Sequence, residues 1–394
     1  MNNKPVSTFR LITIWISVFT VTLLLINFTA AIVLSFLQEK EKLDIFANGD
    51  KLPDYTRNQF RFRLPNYNDK NRAREIYRDL DRLQATYRPY VAWSMEPYQG
   101  KTVTIAASGE RVYPPLLADR NSNVVKRFFG GSTMWGVGVE DKDTIPALFN
   151  AKQPNTAVYN HGQFSYNSRQ ELALLLNLLS SGEHLGDVLF YDGVNDVAVN
   201  CRADTGLNSH NREKKMRRMI NAYPQARKLQ QEGPGLLDSF RGLFIGAIQN
   251  LFIELKRDKS PRKTSSWDRE HWTCHKDPAK AQMVADNLLK NWQLAHDLVT
   301  KAGGSFQAVL QPVALFANPR LDHIEQELAY WGSELPAQYR AVYPLLLKGI
   351  KKLDVEWITD ASSLFDGDEL FYIDFAHVTA NGNQRIAELI LEQR

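Results

Sequence analysis

The sequence predicts an α/β protein with three layers, helices covering both faces of a mostly parallel sheet, behind one N-terminal transmembrane helix. Three observations predict it. From about residue 122 onward, short apolar runs alternate with helical stretches, the pattern of a parallel sheet covered on both sides. Polar clusters follow the first three of those runs directly, so they share one edge of the sheet, where such sheets bind ligands. At the N-terminus, no charge interrupts the 27 residues from Leu11 to Leu37.

That first run, "LITIWISVFTVTLLLINFTAAIVLSFL", reaches roughly 40 Å as a helix, more than the ~30 Å of a hydrocarbon core. A cleavable signal peptide has an apolar core of about 7–15 residues, so a retained, single-pass anchor is expected. Lys4 and Arg10 precede the span, while Lys40, Lys42 and Lys51 follow it, so the positive charges do not by themselves orient it. The short basic tail sets the expectation: residues 1–38 hold a cytoplasmic tail and an inner-membrane anchor, with the body on the periplasmic side. Cys201 and Cys274 either pair in that oxidising compartment or stay as two thiols.

Residues 39–121 read as a stalk, a packing helix ("NRAREIYRDLDRLQATY") and a β-hairpin around the Ser-Gly of "KTVTIAASGERVYPP". Residues 122–394 form the main domain. Its strand candidates are 124–129, 156–160, 187–191, 306–311 and 355–360, and the helices between include "SRQELALLLNLLSSG" and "AKAQMVADNLLKNWQLAHDLVTKAGG". An insertion at about 198–280 carries two basic runs and a very apolar stretch, 235–255. That stretch packs on the sheet, covers the site as a lid, or lies at the bilayer surface.

Composition excludes some functions. The net charge is +4 from 48 basic and 44 acidic residues, too balanced to predict nucleic-acid binding, and no recognition motif adds to it. His271, Cys274 and His275 lack a matching second pair of zinc ligands, so no metal or other cofactor is expected. A G-x-S-x-G elbow would need glycine where Met134 stands, and a phosphate loop would need a lysine before Ser132.

The clusters behind the strands carry the chemistry. Ser132 in "FFGGSTMWG" follows two glycines, which permit a sharp bend and close approach. A serine nucleophile needs a base, and usually a group that orients the base. In "YIDFAHVTANGNQ", Asp374 and His377 share a D-x-x-H turn just ahead of a helix start. "NHG" at 160–162 and "DGVND" at 192–196 complete the edge.

With "GGST", "VYNHGQFSYNSRQEL", "GVND" and "DFAHVTANGN" in this order, residues 122–394 resemble the SGNH (GDSL-type) hydrolases, and "GGSTMWGVGVEDKDTIPALF" resembles their membrane-anchored bacterial branch. The resemblance implies a flavodoxin-like sheet and a Ser132–His377–Asp374 triad acting on a small carboxylic ester. An oxyanion hole would come from the Ser132 N–H, a second N–H after strand two, and the Asn195 amide. The family's second-block glycine falls at Ser165 here, so Gly162 and Ser165 compete as second donor. The implied substrate is an acylated small molecule or glycan, such as an O-acetylated envelope or exported polysaccharide, with partners in a polysaccharide pathway and Trp135 or Trp272 available to stack on sugar. Acyl transfer to a sugar hydroxyl, lipid ester hydrolysis and a catalytically silent assembly role are the alternatives.

Overall fold

The protein is described by a computed structural model over residues 8–47, 61–114, 122–214, 216–217, 220–221, 242–256, 272–330 and 332–393. The chain divides into two units, one of residues 1–55 with 215–261 and one of residues 56–214 with 262–394. The basic run at 256–263 and the start of the apolar stretch, 235–241, lie mostly outside the described residues.

The larger unit is built on five parallel strands, β5 (Val125–Gly130), β6 (Ala157–Asn160), β7 (Asp187–Asp192), β8 (Ser305–Leu310) and β9 (Ile358–Asp360), in the order β6-β5-β7-β8-β9. All five fall on the expected apolar runs. The central strands β5 and β7 are buried along nearly their whole length, as strands covered on both faces must be. The strand order reverses between β5 and β7, and a crevice opens beyond the strand ends at such a switch point.

Helices α4 (Ile145–Lys152) and α11 (Ala380–Glu392) pack together on one face, over Phe128, Leu189 and Val309. Helices α5 (Ser168–Ser180), α8 (Pro278–Lys301) and α10 (Glu334–Leu353) form the other layer. Local signals start these helices: Asn167 accepts the Gln170 N–H ahead of α5, and Asp277 with Pro278 opens α8.

Most of the segment expected as a stalk, 48–60, lies outside the described residues; from Arg61 onward the chain belongs to the larger unit, where Leu64 joins the main core cluster. The packing helix α2 (Lys70–Leu80) stops earlier than its periodicity suggests. Its continuation is a hairpin, β1 (Ala85–Arg88) against β2 (Ala92–Met95), turned by Tyr90 and Ala92 with φ of 65° and 85°. Aromatic and β-branched residues fit the pleated ribbon better than another helical turn. The Ser-Gly hairpin is present but short, with β3 (Tyr98–Gln99) on β4 (Thr104–Ile105) and an Ile105–Arg111 bridge across the turn.

In the smaller unit, α1 spans Thr8–Ala47, and Thr8–Ser35 is long and apolar enough to cross a membrane. Its threonines satisfy themselves: the hydroxyls of Thr13, Thr20 and Thr29 donate to carbonyls one turn earlier at 3.0, 2.8 and 2.8 Å. The insertion contributes a π-helical turn, Gly242–Gly246, running into α7 (Ala247–Lys256), and both pack on α1.

Candidate active site

Strand β5 ends at Gly130, and Ser132 is the first residue of the short helix α3 (Ser132–Trp135), where a backbone N–H has no acceptor within the helix. Gly131 is required by close approach: a Cβ there would lie 2.2 Å from the Asn195 amide nitrogen. The two glycines before the serine therefore make room for the third block, behind β7, as well as turning the chain.

His377 and Asp374 sit on a tight loop closed by the Ile373 N–H bonding the His377 carbonyl at 2.9 Å and by a Tyr372–Val378 bridge. Within it, Asp374 Oδ1 accepts the backbone N–H groups of Ala376 (2.8 Å) and His377 (2.7 Å). Asp374 Oδ2 lies 2.7 Å from His377 Nδ1, and His377 Nε2 lies 2.7 Å from Ser132 Oγ. A carboxylate at Nδ1 fixes the ring proton there, so Nε2 presents its lone pair to the serine hydroxyl. Three residues drawn from both ends of the larger unit thus form one continuous hydrogen-bonded relay.

A fourth residue joins them that the sequence did not single out. Arg61 Nη2 lies 2.6 Å from Asp374 Oδ2 and 2.6 Å from Glu327 Oε1, and all three side chains are buried. Burial alone would push the Asp374 carboxyl up, but His377, Arg61 and the hydrogen bonds of the His377 turn hold it well below the usual carboxylate range. Burial works against the Arg61 charge as well, and Asp374 and Glu327 more than restore it. The only signal in the sequence was one arginine in the basic stretch "QFRFRLPN".

The other edge residues divide by role. Asn160 donates to the carbonyl of Met134 at 3.2 Å and accepts the Gly162 N–H at 3.0 Å, tying the end of β6 to α3. The Gly162 N–H is thereby engaged, and a Cβ at Gly162 would lie 2.4 Å from Trp135 N, so this glycine serves packing. Ser165 makes no such bond and has φ of 61°, the left-handed region that favours the glycine the resemblance implies at this position. The Asn195 amide, beside Gly131, donates to the Tyr166 carbonyl at 2.7 Å. Gln311, at the end of β8, donates to Thr133 Oγ1 at 3.1 Å and accepts the Val194 N–H at 3.3 Å, bracing the serine turn against the Asn195 block.

Beneath that block lies a second feature missed in the sequence, a buried group of Glu171, Asp192 and Asp196. Trp292 Nε1 donates to Asp192 at 2.8 Å, and Ser168 Oγ donates to Asp196 at 2.5 Å. Burial, reinforced by mutual repulsion, pushes Glu171 well up and Asp192 up to about 8; burial pushes Asp196 up to about 6.

Other expectations change. Trp135 is fully buried, with Arg111 over its ring at 4.3 Å, and Trp272 is 3% exposed, so neither is placed to stack on a sugar. Cys201 and Cys274 form a disulfide, which takes Cys274 out of the zinc reading, and His275 Nδ1 is paired with Gln338. His271 lies outside the described residues, among which no metal-ligating cluster occurs.

No family model matches the chain, and no curated protein does. Solved structures do. A lipolytic protein of the G-D-S-L family from Veillonella parvula is 11% identical, covering 68% of this chain and 97% of its own, with a TM-score of 0.35. A carbohydrate acetylesterase from Sinorhizobium meliloti is 12% identical over 69% of this chain and 98% of its own, with a TM-score of 0.36. An aryl esterase from M. smegmatis, in an inhibitor-bound form, is 12% identical over 68% and 97%, also with a TM-score of 0.36. The four blocks that carry the SGNH resemblance lie at one edge of the sheet.

Proposed function

We propose that this chain is a serine carboxylic-ester hydrolase of the SGNH type. The observation that carries the reading is the relay Ser132 Oγ–His377 Nε2–His377 Nδ1–Asp374 Oδ2, with 2.7 Å at each hydrogen bond, at the strand-order switch point. Ser132 Oγ attacks the ester carbonyl while His377 takes its proton, and Asp374 stabilises the imidazolium. The oxyanion is received by the N–H groups of Ser132 and Ser165 and by the Asn195 amide, each worth about 3 kcal/mol in comparable sites. His377 then returns the proton to the leaving alcohol. Water, activated by the same imidazole, attacks the acyl-enzyme and releases the acid and the free serine.

The substrate we assign is a small acyl ester, an O-acetyl group on envelope or exported polysaccharide. The SGNH resemblance and the N-terminal anchor support it. A catalytic unit outside the cytoplasm is supported by the Cys201–Cys274 disulfide, which suits an oxidising compartment.

The test is hydrolysis of p-nitrophenyl acetate by the detergent-solubilised full chain, beside Ser132→Ala and His377→Ala. Each substitution is expected to lower kcat at least about 10³-fold with the fold retained. Wild-type-like activity in Ser132→Ala overturns the mechanism. Turnover that rises with an added sugar acceptor, with acetyl appearing on the sugar, replaces hydrolysis by acyl transfer on the same triad.

A further inference from the structure

The smaller unit contains a pairing that a simple membrane anchor does not need. Asn27 is buried on α1, within the uncharged run, and its amide is fully used by a segment more than 200 residues away. Asn27 Nδ2 donates to the Leu243 carbonyl at 2.7 Å, and Asn27 Oδ1 accepts the N–H groups of Ala247 and Ile248 at 2.9 and 3.2 Å. On α1, Asn27 and Ala30 are buried and Leu23, Leu24 and Leu34 half-buried, a helical stripe on the side of the inserted segment.

The position matters. Counting from Thr8 to Ser35 at ~1.5 Å per residue, Asn27 lies about 8 Å from the middle of the apolar stretch, inside a hydrocarbon core of ~30 Å. Hydrocarbon offers nothing to hydrogen-bond an amide or a helix-initiating N–H, so each must find a protein partner. Here they satisfy one another. The inserted segment is also apolar outward: Leu243 is 59% and Phe252 57% exposed, and no charged residue occurs from Gly242 to Ile253. Polarity rises along it, with Gln249 and Asn250 in the middle and Glu254 and Lys256 at the end. That gradient suits a segment that begins in acyl chains and ends at the headgroups. Its outward face continues the lipid-sized apolar surface of α1, where Phe19, Leu25 and Phe28 are exposed.

We propose that Gly242–Lys256 is a second membrane-embedded segment, re-entering the acyl-chain region beside α1 and latched there by Asn27. Its occupant partner is the lipid of the bilayer that α1 crosses, and the proposal rests on that reading of α1. It replaces the choice among sheet packing, lid and surface helix with one location. It also makes the unit a two-point attachment, as an amide pair between packed membrane helices does elsewhere.

The test uses the full chain in phosphatidylcholine vesicles, with one environment-sensitive fluorophore on a cysteine replacing Leu243, Phe252, Phe19 or Leu176; Cys201 and Cys274 stay bonded to each other. Lipids carrying acyl-chain nitroxides and aqueous iodide are the two quenchers. Positions 243 and 252 are expected to be quenched by the nitroxide lipids within about twofold of position 19, and by iodide at least about tenfold less than position 176. Iodide quenching at 243 and 252, with position 19 still in lipid, overturns the proposal and leaves the anchor standing. Iodide quenching at 19 as well overturns both. Protection from both quenchers at 243 means a protein partner, such as a second copy, covers this face and overturns the lipid assignment. Adding Asn27→Leu is expected to raise iodide quenching at 243 at least about threefold; no change overturns the latch.

Discussion

Arg61→Met removes a buried cation paired with the carboxylate of the proposed triad. Arg61 lies 2.6 Å from both Asp374 and Glu327, so its loss leaves two buried carboxylates with one compensating charge fewer. Removing one partner of a buried ion pair costs about 3–5 kcal/mol. Without that cation the Asp374 carboxyl is held less far below the ordinary carboxylate range. The sign follows from its depressed value: Asp374 contributes stability above the ordinary carboxylate range and loses it as pH falls. In the variant that contribution is smaller, and its loss is complete at a higher pH. Asp374 keeps its three hydrogen bonds but loses this ion pair, and a charge-assisted contact worth about 1.5–3 kcal/mol corresponds to roughly 10–100-fold in kcat/KM at neutral pH. The assay is kcat/KM for p-nitrophenyl acetate from pH 5 to 9, with urea midpoints, for wild type, Arg61→Met, Arg61→Lys and Arg61→Met/Glu327→Gln. The double variant recovers stability, because the second carboxylate is neutralised, but not activity. Arg61→Met with wild-type kcat/KM and only a stability loss refutes the reasoning and leaves Arg61 a packing residue.

Three further outcomes are expected. Ser165→Gly relieves a side chain held at φ of 61°, worth about 1 kcal/mol or less, and keeps kcat/KM within about threefold because the N–H stays; a tenfold fall shows that the hydroxyl itself takes part. Replacing Cys201 and Cys274 by serine opens a loop of 73 residues' separation and costs about 4 kcal/mol by chain entropy, read as a lower urea midpoint under oxidising conditions with kcat/KM unchanged. The raised carboxyls at Glu171, Asp192 and Asp196 hold protons that the unfolded chain has released. Their contribution is therefore largest near pH 4 and falls as pH rises through about 6 and about 8, and Asp192→Asn flattens the decline in Tm between pH 5 and 8.

The sheet was legible because strands buried on both faces must be almost continuously apolar, and the runs ending at Phe129, Asn160 and Tyr191 stand out for that reason. Ser132, Asp374 and His377 were legible because their neighbours are turn residues, while their own side chains are not needed to turn. Arg61 was not. Its partner lies more than 300 residues away, and a single arginine among other basic residues reads as solvated until the fold supplies a buried carboxylate. The hairpin at 85–95 was hidden because "REIYRDLDRLQATY" keeps a helical period beyond the point where Asp81 ends the helix. Trp135 looked available for stacking because the sequence does not show Arg111 lying across its ring. The apolar stretch after residue 235 announced only that something covers it; Asn27 supplies part of the cover.

One fold holds carboxylates in opposite states, and the difference is what surrounds them. Asp374 is as deeply buried as Asp192, yet it stays charged because an arginine, an imidazole and two backbone N–H groups converge on it. Among the described residues, Asp192 meets an indole N–H and other carboxyls, so burial and repulsion keep protons in that group. The contrast suits the chemistry proposed. A fixed negative charge behind His377 stabilises the imidazolium as the serine is deprotonated. In the proposed mechanism Arg61 thus keeps the charge that His377 needs, while the protons held by the Glu171–Asp192–Asp196 group reduce a charge near Asn195 that would oppose the oxyanion.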